Sequence, residues 1–266
     1  MNSVTIRTLL VRGMLAGVIA GIPAFALAYL LGEPSVDAAI AYEESHSHEH
    51  GGVELVSRTV QSTAGLATGT LVFGIAVGGI AALAFCFALG RIGRFGPRAT
   101  AALVAGGAFV TTCLVPFLKY PANPPASTDA ETLDQRTALF FLMIALTVLL
   151  AIGAIILGRR LAPRLGNWNS SITASAAFVG TVALAMVFLP VVDETPADFP
   201  ATVLWEFRMA AFAIQALLWA GFGLLFGYLA ERVLLPRTVR AESPESQESG
   251  AADGSAQQQS AASAAS

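Results

Sequence analysis

Residues 137–158 read TALFFLMIALTVLLAIGAIILG, and their reading decides the fold. The run has no charged side chain. About 20 helical residues are enough to cross the hydrocarbon core of a bilayer. The run does not alternate polar and apolar residues, as a barrel strand would. Working outward, five more apolar segments of the same kind lie at roughly 11–31, 64–90, 99–118, 171–191 and 209–230. Hydrophobic residues make up 55% of the chain and charged residues 12%, whereas a soluble domain carries about 25% charged. The expected fold is all-α: a polytopic transmembrane helical bundle of about six spans over residues 1–240.

Lys and Arg placement sets an orientation by the positive-inside rule. With a cytoplasmic N-terminus, the inner segments hold Arg7, Arg12, Arg91, Arg94, Arg98, Arg159, Arg160, Arg164, Arg232, Arg237 and Arg240. The outer loops hold Arg58, Lys119, Arg136 and Arg208. This predicts a multi-pass cell-membrane protein with both termini in the cytoplasm. The first apolar run is longer than a signal-peptide core, so we expect it to be retained as a span. Pro23 should kink it. Gly13, Gly17 and Gly21, then Gly65 and Gly69, Gly74 and Gly78, and Gly223 and Gly227 recur at four-residue spacing, which suits close helix packing. Residues 241–266, AESPESQESGAADGSAQQQSAASAAS, read as a disordered polar cytoplasmic tail.

The first outer loop, 32–64, carries the chemistry. It holds all three histidines of the chain, His46, His48 and His50, in an H-S-H-E-H run, with Glu43, Glu44 and Glu49 around them. Neutral imidazole is the commonest protein ligand for borderline divalent metals. Alternating histidines share one side only on an extended backbone, and Gly51 and Gly52 favour a mobile capture loop. Three imidazoles with a carboxylate from Glu43, Glu44 or Glu49 could form a four- to six-coordinate shell. Ligand type does not choose among Co, Ni, Cu and Zn. The loop's acids concentrate cations. The ion is expected as transient cargo, with no tightly bound cofactor.

The three outer loops each enter the next helix through an acid and an arginine: Glu54 and Arg58, Asp134 and Arg136, Glu206 and Arg208. This suggests a threefold repeat of helical hairpins, of the kind transporters use. Within the spans, Gln215, Thr111 and Thr112 are the main polar groups, read as interhelical hydrogen bonds. Apart from Arg12 the spans lack charge, which disfavours a proton-coupled antiporter. Cys86 and Cys113 fall at different depths and read as apolar filler without a disulfide. No phosphate-binding loop, H-E-x-x-H or G-x-S-x-G motif occurs, so no enzyme is expected. The dispersed basic residues exclude nucleic acid as a partner. The bilayer and a divalent metal ion are the expected partners, and a homo-oligomer stays open.

Several stretches resemble the CbtA family of proposed cobalt transporter subunits: LLVRGMLAG near Arg12, GEPSVDAAIAYEESHSHEH at 32–50, ELVSRTVQSTAGL at 54–66, LVPFLKYPANPPA at 114–126, RTALFFLM at 136–143 and FPATVLWEFR at 199–208. The resemblance implies a membrane protein connected with cobalt supply for cobalamin. It implies about five spans and a small single-span CbtB partner subunit with its own histidines. The expected function is a subunit of a divalent metal (cobalt) uptake system whose outer His/Glu loop captures the ion. The competing reading is a membrane-anchored metal-binding or assembly protein that transports nothing itself.

Overall fold

The protein is described as a computed structural model covering residues 2–46, 56–125, 127, 132–192 and 195–235. The expected tail at 241–266 lies outside the described residues. The elements in order are α1 (Ser3–Leu27), α2 (Glu33–His46), α3 (Arg58–Val60), α4 (Leu66–Ala88), α5 (Pro97–Phe109), α6 (Val115–Lys119), α7 (Leu133–Phe188) and α8 (Ala201–Leu234). Three wider π-turns interrupt them, at Ala28–Gly32, Gln61–Gly65 and Val110–Leu114. Asn2 caps α1, its side-chain oxygen accepting from the Thr5 N–H at 3.0 Å. The helix continues through Pro23.

Five continuous helical stretches are long and apolar enough to cross a membrane, yet they carry six apolar segments. The difference lies in α7, which holds both 137–158 and 171–191. Its Gly166 has φ 75° and ψ 165°, a non-helical conformation. A Cβ built on Gly158 would lie 3.2 Å from the Ala174 Cβ. In one straight helix those residues would stand about 24 Å apart at 1.5 Å each. The chain therefore folds back at Gly166, and α7 is two antiparallel limbs, 133–165 and 167–188.

The core sits among α1, α4, α5 and α8. α1 and α4 approach so closely that backbone meets backbone. A Cβ on Gly74 would lie 2.5 Å from the Gly17 carbonyl oxygen, and one on Gly13 would lie 2.6 Å from the Gly78 oxygen. In lipid there is little hydrophobic drive between helices, so this van der Waals contact is what holds the pair. On the other side Gly223 and Gly227 of α8 admit Ala105 and Ala101 of α5. Aromatic rings fill the wider spaces: Phe85 of α4 meets Phe226 of α8 edge-on at 5.1 Å between centroids. Both free cysteines pack against this cluster, as expected for filler.

Only the first expected hairpin, α1 with α4, packs along its length. α5 packs mainly on α8, and α7 meets α6 and the adjoining π-turn. Among the described residues the packing does not follow a threefold repeat. The π-turn at Val110–Leu114 explains one intramembrane contact. Val115 N–H bonds to Val110 O, and the next residue, Pro116, has no N–H. The Thr111 carbonyl is thus left over by the helix, and the buried Thr147 hydroxyl of α7 lies 2.7 Å from it. Thr111 and Thr112 spend their own hydroxyls on carbonyls of their own helix. Gln215 accepts from the Cys113 thiol at 3.7 Å, an interhelical contact.

Candidate metal site at the end of α2

The stretch expected to be a loop begins as helix. α1 passes through the π-turn at Ala28–Gly32 directly into α2, so Glu43, Glu44 and His46 lie on a helical turn. The reason is local: Ala38, Ala39, Ala41, Glu43 and Glu44 are good helix formers, and no Gly or interior Pro follows Pro34 before His46. His46 closes the last turn of the helix. His48, Glu49 and His50 lie outside the described residues. No group of three or more metal-ligating side chains occurs among the described residues.

Arg58 fixes the base of α2. Its Nε donates to Asp37 at 2.9 Å, and its Nη2 pairs with Glu33, whose side chain is largely buried. The start of the second span is thereby tied to the first two turns of α2.

At the tip, His46 meets a partner that the sequence reading did not select. Its Nε2 lies 3.5 Å from Oδ2 of Asp198, in the turn before α8. Its Nδ1 lies 2.9 Å from the Tyr42 carbonyl oxygen. The Tyr42 ring lies against the imidazole at 4.2 Å between centroids and meets Phe199 edge-on at 5.0 Å. Phe199 is buried, and its N–H donates to Pro196 O at 3.0 Å, closing the turn that presents Asp198. Sequence carried one hint of this: the third expected outer loop, with Asp193, Glu194 and Asp198, is also acidic.

Hydrogen bonding from Tyr42, with a backbone hydrogen bond and the nearby His46, holds the Asp198 carboxyl below the usual aspartate value. A depressed carboxyl stabilises docking above the ordinary carboxylate range and loses that contribution as pH falls through its own lowered pKa. We expect carboxyl NMR of Asp198 to give a midpoint below that of free aspartate. Tyr42→Phe should move it upward, and an unmoved midpoint would show that the tyrosine does not hold the carboxylate.

Among the described residues a second polar cleft is lined by Lys119, Asn123, Arg136 and Arg208. Arg136 donates to Pro121 O, and Arg208 donates to Asn123 Oδ1 at 2.8 Å, both pinning the segment before Pro124.

The family described as Probable cobalt transporter subunit (CbtA) matches this chain over residues 6–231. No curated protein and no solved structure matches it.

Proposed function

The chain belongs to the CbtA family of probable cobalt transporter subunits, and from that premise we propose that it captures cobalt at the tip of α2 for uptake across the membrane. His46, His48 and His50 are the principal ligands in this reading, with Glu43, Glu44 and Glu49 supplying carboxylate oxygens and local negative charge. The His-bearing end faces outward, and the basic turns after α4 and within α7 face the cytoplasm, following the Lys and Arg distribution. As a subunit, the protein works with partners; a small single-span CbtB-like chain is the one the family resemblance implies.

The observation that carries this reading is His46 itself. It stands exposed, beyond the apolar stretch of the first span, with one ring nitrogen engaged by a backbone carbonyl and the other turned toward a carboxylate. Metal-ligating histidines are commonly arranged this way, because fixing the far nitrogen orients the ring.

The test is cobalt uptake by cells carrying the complete system, measured against external cobalt concentration. Replacing His46, His48 and His50 together by Ala should shift half-maximal uptake to roughly ten-fold or more higher cobalt, in line with the loss of coordinating groups. An unchanged curve ends the capture role. Purified protein in liposomes holding a metal-sensitive dye addresses the competing reading: an anchor or assembly factor would bind cobalt while the dye stays dark.

A further inference from the structure

We propose that the groove between the π-turn at Ala28–Gly32 and the start of α8 seats a membrane-spanning helix of another subunit, whose Lys or Arg pairs with Glu206. The proposal rests on membership of a family of transporter subunits and not on ion capture at His46.

Glu206 and Arg208 stand together in sequence at the entry to α8, and the structure parts them. Two residues apart, they point to nearly opposite sides of the helix. Arg208 donates to Ala122 O and to Asn123 Oδ1. Glu206 instead lines a groove of about 460 Å³. Leu30, Leu31 and Ser35 form one wall of it, and Trp205, Glu206 and Met209 the other. Leu30, Leu31 and Trp205 are each more than half exposed. Trp rings favour the boundary between membrane and water, and the leucines end the apolar run of the first span. The groove therefore opens sideways to lipid and reaches up to that boundary.

Two polar groups interrupt its apolar walls. Ser35 is only 3% exposed, and Glu206 is exposed. Among the described residues neither side chain has a hydrogen-bond or ion-pair partner. The neighbouring carboxylates are taken: Arg58 holds Glu33 and Asp37, and Arg98 holds Glu231. Glu206 is thus the carboxylate left to meet a cation from outside the chain. Acyl chains would fill the apolar length but offer nothing to the hydroxyl or the carboxylate. A spanning helix satisfies its own backbone in lipid and can lay an apolar face along the groove. Its polar side chains can bond across to the neighbouring helix, and a long basic side chain can snorkel up to the level of Glu206.

The experiment is site-specific photocrosslinking in cells carrying the complete system. Benzoylphenylalanine replaces Met209 in the groove or, as control, Val187 on the exposed face of α7, and mass spectrometry identifies the crosslinked peptide. The Met209 probe should join a different chain, at an apolar stretch of about 20 residues with a Lys or Arg near one end. The Val187 probe should not. Glu206→Lys should cut that adduct at least about ten-fold, because like charges then meet at the contact. Glu206→Gln, which keeps the shape, should lower it in the same direction, and both variants should elute from gel filtration as wild type does. An adduct with lipid alone, with a second copy of this chain or with a polar segment would overturn the proposal, as would a yield indifferent to both Glu206 substitutions. Replacing His46, His48 and His50 by Ala should leave the adduct in place whether or not it alters uptake, so the two readings fail separately.

Discussion

Gly74→Ala is expected to yield little folded protein, and what folds should melt well below wild type. The added Cβ would lie 2.5 Å from the Gly17 carbonyl oxygen and 3.1 Å from its carbon. Neither atom can swing aside, because both belong to the backbone of α1. Relief requires the two helices to separate along the whole interface, which also loosens Gly13 against Gly78 and Ala82. Overpacking of this kind costs typically 1–3 kcal/mol, and roughly the upper end applies where backbone opposes backbone. Gly69→Ala is the matched control. It belongs to the preceding pair of the same helical stretch, yet nothing lies within 4 Å of its would-be Cβ, and alanine is the better helix former by about 1 kcal/mol. Thermal unfolding in detergent, followed by gel filtration, should separate the two. Equal melting would mean that the α1–α4 contact is not backbone to backbone.

The second large effect concerns Gly166. In a chain freed of Cys86 and Cys113, cysteines placed by Gly158→Cys and Ala174→Cys should oxidise to a disulfide within the monomer. The positions bring Cβ atoms 3.2 Å apart, close to the range a disulfide spans. Adding Gly166→Val should suppress the crosslink and lower the melting temperature. A φ of 75° with ψ of 165° lies in a region that is essentially glycine-only, and holding another residue there costs about 1–3 kcal/mol. Valine, β-branched, pushes instead toward one continuous helix, in which the two cysteines would be about 24 Å apart. Thiol titration of the purified protein reads the outcome. Failure of the parent pair to crosslink would reduce α7 to a single long helix and the bundle to five spans.

Much of the fold was legible because spanning is a property of composition over a window. A run such as 137–158 has no other stable reading once its length and lack of charge are noted. The glycine series were legible too, since four-residue spacing places them on one face. Which partner each face chose was not: Gly65 and Gly69 repeat the spacing of Gly74 and Gly78, yet a Cβ on Gly65 would meet only the Val60 carbonyl oxygen of its own chain stretch, at 3.5 Å, and one on Gly69 nothing within 4 Å. The fold-back at Gly166 was half visible, as a gap between two apolar segments rather than as a conformation.

The site divided in the same way. His46, Glu43 and Glu44 could be selected by residue type alone. Their helical setting was missed because Gly51 and Gly52 were allowed to characterise the whole stretch, although the alanines that build α2 precede them. Asp198 was invisible for a different reason. Its pairing with His46 depends on α2 and the turn before α8 ending at the same height, and the packing of α1 on α8 decides that.

The interlock of α1 and α4 also limits how this molecule can move. With glycine backbones seated in one another's grooves, neither helix can roll or slip by a residue without collision, so the pair travels as one strut. Any rocking that opens a passage must use a looser seam, such as the limbs of α7 against the pair formed by α5 and α8. Spin labels across that seam, and not across the strut, are where a change of distance during turnover should be sought.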